Sequence, residues 1–358
     1  MAGDKGIGWE HLTAAKIHCS HDTLLRFFVP IYFYTHFIQM TFFTELKTAI
    51  GASRPNIKDV SVQLYANNVN KLSKLYHNKP VESLEFLHDK SKIMGIIGSK
   101  KPNTQKTYLA SIVVALMAKQ PEPPGLTKHY RDLMEAIAKE EGERSKKQIK
   151  TAAQQKNWAT LGELNAELNR QRKAINKKKL WTQPTLSKKE FDVLQRYVVG
   201  SLYLADDANP PLRSDYGNVQ LICPKDFGAL PATDRKKNHL VIQSRNRKFF
   251  HLGDYKTAKV YGEKRIKIGS KLNTILNKWL KVNTSGHLLL NKVNRPMTSN
   301  QLTKFMPKVF ENIGKKIGIS LLRHIYISEK FPAQLLEKEK TADLMAHSVN
   351  TQAGYSKK

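Results

Sequence analysis

Four short runs of strand-forming residues, at 219–222, 239–243, 248–252 and 265–268, interrupt a chain that is otherwise patterned for helices. Each is bounded by Asp, Asn or Gly turn residues, and each is too brief to be read as a helix. Upstream, Val62, Tyr65, Val69, Leu72 and Tyr76 recur at +3, +4, +3, +4, which puts one apolar face on a helix. A second helix is expected around Leu84 to Leu87. A third should follow Lys101-Pro102-Asn103-Thr104, with Thr104 as its N-cap and Tyr108, Ile112 and Leu116 along one face. Pro184 and Ser187 open another, whose apolar residues are Phe191, Leu194, Tyr197 and Val198, and helical patterns return from Leu272 onward. The expected class is therefore mainly α, with a small antiparallel β-sheet in the C-terminal half (α+β).

At 358 residues the chain has room for two to three domains. The run Gln120-Pro121-Glu122-Pro123-Pro124-Gly125 is a break. Beyond it, 127–179 is highly charged and rich in Ala, Glu, Lys and Gln, the composition of a long helical linker or a solvent-exposed hairpin. The expected division is an atypical apolar segment at 1–39, a helical domain at 40–120, a charged helical linker at 121–180 and a second domain at 181–358. Residues 27–43 contain no Lys, Arg, Asp or Glu. They still fall short of the ~20 apolar residues that a spanning helix needs, and they include Pro30, His36 and Gln39. The charged flank and small-residue cleavage site of a signal peptide are missing as well, so no membrane span is expected. An alternative account of this segment is that translation starts at Met40.

Charge narrows the partners. Sixty Lys and Arg against thirty Asp and Glu leave +30, which repels itself unless a polyanion is the working partner. The basic residues run through the whole length rather than along one amphipathic helix, which favours nucleic acid over an anionic membrane surface. Lys71, Lys74, Lys101 and Lys106 in the helical domain, and Arg245, Arg247 and Lys248 among the strands, are the candidate contacts. The two cysteines, Cys19 and Cys223, are far apart, which argues against a disulfide scaffold or a Cys-based zinc site and fits a reducing, intracellular compartment. His18, Cys19 and His21 lack a second ligand pair at metal-binding spacing. There is no phosphate-binding G-x-x-x-x-G-K-[ST] loop and no H-E-x-x-H, and no cofactor or small-molecule substrate is expected.

Breaking a phosphodiester without a metal requires cationic donors on the non-bridging oxygens, an acid for the leaving oxygen, and a nucleophile in line. Arginine suits the first task through its planar fork, and lysine or histidine the second. The C-terminal half offers these types in order. Arg213 lies in Pro210-Pro211-Leu212-Arg213-Ser214-Asp215, and Lys256 in Gly253-Asp254-Tyr255-Lys256-Thr257. Arg323 and His324 lie in Ser320-Leu321-Leu322-Arg323-His324-Ile325-Tyr326, His347 in Leu344-Met345-Ala346-His347-Ser348, and Tyr355 follows.

This order resembles the tyrosine recombinase (phage-type integrase) family over roughly residues 40–358. The tail, Leu-Arg-His followed by Ala-His-Ser and then Tyr, is similar to that family's signature. The wording around Arg323 and His347 is similar to recombinases of large DNA viruses and virophages. The resemblance implies a core-binding domain at 40–120 and a catalytic domain at 181–358. It implies that Arg213 and Arg323 bind the scissile phosphate, Lys256 protonates the departing 5′ oxygen, His347 donates to a non-bridging oxygen, and Tyr355 forms a 3′-phosphotyrosyl link. Duplex DNA is the implied substrate and a homotetramer the implied assembly, working with DNA inside a cell, in the nucleus or a viral factory. Lys259 is a rival to Lys256. Asp215 would orient Arg213 or cap a turn. The family usually carries His or Lys where Ser320 stands, leaving Lys315, Lys316 or His324 as candidates for the general base. The His-to-Tyr spacing is one residue shorter than the commonest form, and few residues follow Tyr355 to dock on a neighbouring subunit. A type IB topoisomerase uses nearly the same residues, and a non-catalytic DNA-binding protein of the same fold would keep the charge without the chemistry.

Overall fold

The computed structural model describes residues 32–349, apart from 120, 122, 208, 245, 246 and 346–348. The chain forms two compact units, Met1–Ile149 and Lys150–Lys358.

The first unit is helical: α1 (Tyr32–Ser53), α2 (Asp59–His77), a 3-10 turn (Glu85–His88), α3 (Lys90–Gly98), α4 (Pro102–Ala118) and α5 (Pro124–Lys146). Its centre is α4, which is buried on several sides. Tyr108, Leu109, Ile112, Val113 and Leu116 pack with Leu72, Leu87, Ile93, Ile97 and Tyr130, while Val114 and Ala115 enter a second cluster with Leu46, Ile50, Val62, Ala66 and Val69. The expected face of α2 is the buried one, with Tyr65 and Tyr76 at its margins. Thr104 is not the N-cap of α4. Lys101 holds that place, because Pro102 at the first helical position has its φ preset and no N–H to satisfy. The segment expected as a helix near Leu84 is only a 3-10 turn, after which Asp89 caps α3 by accepting from the backbone N–H of Lys92 at 3.0 Å.

The charged stretch at 121–180 is split by the boundary between the units rather than forming a linker between them. α5 belongs to the first unit, where the Tyr130 hydroxyl donates to the Leu87 carbonyl at 2.7 Å. α6 (Ala152–Asn157) and α7 (Leu161–Lys177) belong to the second. The sparse apolar residues of α7, Leu164, Leu168 and Ile175, are buried against α8 (Lys188–Leu204). The two helices approach closely because residue 200 has no side chain; a Cβ on Gly200 would lie 2.4 Å from Leu168 Cδ2. α8 starts where expected, in a capping box between Ser187 and Glu190.

The four strands, β1 (Gln220–Ile222), β2 (Asn238–Ile242), β3 (Lys248–Leu252) and β4 (Lys264–Lys267), form one sheet in sequence order. The sheet is mixed rather than wholly antiparallel, since β1 pairs with β2 in parallel and the other two pairings are antiparallel. The cause is the connection: α9 (Pro224–Ala229) and α10 (Ala232–Arg235) carry the chain back, so β2 re-enters in the direction of β1. α11 (Ala258–Tyr261) joins β3 to β4. Leu240 and Phe250, opposite each other, face a core shared with α8, α12 (Ser270–Val282) and α13 (Ser299–Val309). The buried Trp279 of α12 donates its ring N–H to the Leu288 carbonyl at 2.8 Å. α14 (Ile319–Lys330) buries Ile319, Leu322 and Ile325 in the same core, and α15 (Pro332–Leu344) follows it. Among the described residues no helix is long and apolar enough to cross a membrane.

Candidate functional site

The site is built where the loop after α8 passes between β2, the turn after β3, and α14. Tyr203, buried near the end of α8, donates its hydroxyl to the Arg213 carbonyl at 2.8 Å. Tyr216, also buried, donates to the Leu202 carbonyl at 3.1 Å, and the two rings meet edge to face at 5.3 Å. These two phenols clamp the 213–216 segment onto α8. Burial raises both of their pKa values well above that of an ordinary tyrosine, so they remain neutral donors.

Arg323 projects from α14 and donates through Nε to the Pro211 carbonyl at 3.2 Å, reaching the segment that carries Arg213. The Asp215 carboxyl lies within the field of both guanidiniums. Burial raises its pKa, Asp254 adds to that rise, and Arg213 and Arg323 oppose it. Asn238, the first residue of β2, joins the pieces. Its side-chain amide donates to the carbonyls of Asp215 at 3.1 Å and Asp254 at 2.8 Å, and its Oδ1 accepts from the Asp254 N–H at 2.9 Å. The turn beyond β3 is pressed against the end of α10: a Cβ on Gly253 would lie 2.3 Å from the Lys236 carbonyl oxygen, so no larger residue fits. The Tyr255 hydroxyl then closes this loop by donating to the Gly262 carbonyl at 2.6 Å. Lys256 is exposed on that loop, between the Asn238 junction and α11.

Arg213, Asp215 and Arg323 are thus brought together, with the loop carrying Lys256 fastened beside them. Arg213 is exposed and Arg323 half-buried, so the cluster offers two cations and one carboxylate to an approaching anion. Ser320 and His324 are exposed on α14. Lys315 is engaged elsewhere, 3.1 Å from Glu163 of α7, whose carboxyl is held below its usual range first by the Thr160 N–H and then by Lys315. His347, Tyr355 and Arg245 lie outside the described residues, as does the His18, Cys19 and His21 group. Among the described residues no group of three or more His, Cys, Asp or Glu could hold a metal ion.

Of the other expected contacts, Lys71, Lys74, Lys101 and Arg247 are exposed and Lys106 is half-buried. Lys248 differs from expectation. It is 5% exposed, and its ammonium donates to Asn273 Oδ1 at 3.2 Å and to Asn277 Oδ1, both on α12. Burial lowers its pKa, and the side chain fastens β3 to α12 instead of standing exposed on the surface. Tyr203, Tyr216, Asn238 and Gly253 had no motif to announce them. For Lys248 the one available signal was Asn273 and Asn277, two amides one helical turn apart on α12, which both accept from it.

The chain matches no protein-family model, no curated protein and no solved structure.

Proposed function

We propose that this protein cuts and rejoins duplex DNA, with Tyr355 as the nucleophile and Arg213 and Arg323 as the phosphate-binding pair. The observation that carries the reading is that Arg323, far along the chain, reaches the Pro211 carbonyl at 3.2 Å, two residues from Arg213. Bidentate guanidinium contacts would hold the non-bridging oxygens of one phosphodiester. Asp215 balances part of that charge while no phosphate is present. In the reaction, the Tyr355 oxygen attacks phosphorus, the P–O5′ bond breaks, and Lys256 gives its proton to the departing oxygen. His347 donates to the phosphate. The phosphotyrosyl ester keeps the bond energy, so a second 5′ hydroxyl can reverse the step without ATP. Ser320 offers no basic nitrogen and Lys315 is committed to Glu163. Lys316 and His324 are both exposed, and His324, which follows Arg323 directly on α14, is the base in this reading. Exchange of strands between two duplexes would require several copies, a homotetramer in the recombinase reading.

A nicked suicide duplex, from which the cleaved end diffuses away, tests this directly. The wild type should accumulate a covalent protein–DNA adduct, and Tyr355→Phe should form none. Arg213→Ala and Arg323→Ala should each slow the adduct by on the order of a hundredfold, the usual cost of losing one charge-stabilising donor. Absence of an adduct with the wild type sinks the proposal in favour of DNA binding alone. Relaxation of supercoiled plasmid with no target sequence would instead assign the chemistry to a topoisomerase.

A further inference from the structure

A groove of about 860 Å³ opens in the second unit between α7 and α12, with α8 as its floor. Two contacts set its walls. Gly200 of α8 meets Leu168 of α7, and Asp206, just past α8, accepts from the Lys271 N–H in the first turn of α12 at 3.2 Å. On the α7 wall stand Asn165, Asn169, Arg172 and Asn176, spaced so that all four fall on one face. On the α12 wall stand Lys271, Thr274 and Lys278, three and four residues apart. Tyr197 and Ser201 are buried in the floor with their hydroxyls bonded to one another, and Arg172 lies close enough to act on the phenol. Trp181, in the 3-10 turn between α7 and α8 (Leu180–Thr182), is half-buried and meets the Tyr197 ring edge to face at 6.3 Å.

Both walls carry one sign of charge. α12 contains no Asp or Glu, and the two carboxylates of α7 are engaged outside the groove, Glu163 with Lys315 and Glu167 with Arg170. Acids enter only at one end, where Asp206 is tied to the start of α12 and Asp207 to Lys330 at 2.9 Å. Among the described residues, Arg172, Lys271 and Lys278 have no ion-pair partner, and the three asparagine amides have no hydrogen-bond partner. A cleft walled by like charge focuses its field and gathers counter-ions. Its cations suit phosphate oxygens, its amides suit a base edge or a ribose hydroxyl, and its indole suits the face of a base. The volume falls within the ~300–1,000 Å³ typical of small-molecule sites. We propose that this groove binds a nucleoside polyphosphate, with Trp181 stacked on the base and Arg172, Lys271 and Lys278 on the phosphates. Asp206 and Asp207 would repel a phosphate backbone running on past that end, which favours a free nucleotide over a length of single strand. The groove shares no residue with the Arg213 and Arg323 cluster, so the proposal does not depend on strand cutting.

Titration of the full chain with adenosine 5′-triphosphate, followed by calorimetry and by tryptophan fluorescence, tests this. The wild type should bind with a Kd below about 100 μM and lose fluorescence as the base stacks. Adenosine alone and inorganic tripolyphosphate alone, each lacking part of the contacts, should bind about tenfold more weakly or worse. Arg172→Ala and Lys278→Ala should each weaken the nucleotide about tenfold, the scale of one charge-assisted bond. Trp181→Ala should weaken the nucleotide about tenfold, abolish the fluorescence change and leave tripolyphosphate binding as it was. Lys281→Ala, exposed on α12 but outside the groove, should alter neither ligand. Arg172 and Lys278 are exposed, so their variants carry the test even if Trp181→Ala fails to fold. Equal affinity for the nucleotide and tripolyphosphate, or an equal loss with Lys281→Ala, would reduce the effect to net charge and overturn the proposal. It is overturned as well if no saturable binding is seen, or if a single-stranded oligonucleotide binds more tightly than the nucleotide and loses that binding in Arg172→Ala.

Discussion

Replacing Asn238 with alanine tests whether the cluster is held as the hydrogen bonds indicate. The side chain is 7% exposed and makes three bonds, two donated to the Asp215 and Asp254 carbonyls and one accepted from the Asp254 N–H. A neutral hydrogen bond contributes about 1 kcal/mol net, and a buried group left without a partner costs more. Asn238→Ala should therefore destabilise the second unit by about 3 kcal/mol, a large share of the ~5–15 kcal/mol that a domain has. Urea unfolding should show the midpoint falling with the slope unchanged, since the surface exposed on unfolding is the same. Asn238→Asp keeps the acceptor but loses both donors and brings a third carboxylate to Asp215 and Asp254. It should be at least as unstable as the alanine variant at pH 7 and recover as the pH falls towards 4. A loss under about 1 kcal/mol for Asn238→Ala would refute the reasoning, because the Arg213 segment and the Lys256 loop would then be held together by something else.

Four further outcomes are expected. The folded pKa of Asp215 is raised, chiefly by burial, so its ionisation costs stability as pH rises through that value; Asp215→Asn should be the more stable protein at pH 7, with the difference vanishing towards pH 4 in chemical denaturation. Burial lowers the pKa of His239, so the unfolded chain binds the proton more tightly and stability should fall as pH drops below about 6.5; His239→Leu should flatten that part of the profile. Lys248→Met should leave the salt dependence of DNA binding unchanged while Arg247→Ala makes it shallower by about 0.9, as measured by titration at several salt concentrations. Lys256→Ala should cleave slowly with an oxygen leaving group but regain speed on a duplex carrying sulfur at the scissile 5′ bridge, because a thiolate needs no proton to depart; no recovery would deny Lys256 the role of acid.

How much of this could be read from the sequence depends on what each feature answers to. Strand positions were legible to within a residue or two, because short runs between turn residues leave little else for the backbone to do. Strand direction was not. It is decided by the connection, and the crossover through α9 and α10 makes β1 and β2 parallel although both look like members of a meander. Periodicity likewise showed one buried face of α4 at Tyr108, Ile112 and Leu116, but not that Val113, Val114 and Ala115 would be buried as well. A helix covered on several sides has no polar stripe to set its boundary.

The candidate site divides along the same line. Arg213, Asp215 and Arg323 could be named because their chemistry is in the residue type, and the fold has only to bring them near one another. Asn238 and Gly253 act through backbone groups of partners distant in sequence, and nothing local distinguishes them from ordinary turn residues. Lys248 shows the limit of reasoning from charge. A lysine beside Arg247 in a basic chain suggests DNA, yet alternate residues of a strand point to opposite sides, and this one points at two asparagines. Net charge therefore gives only an expectation of a polyanionic partner, while the burial of each cation decides which ones could reach it. By that criterion Arg213, Lys71 and Lys74 stay available as candidates because they are exposed, and Lys248 does not.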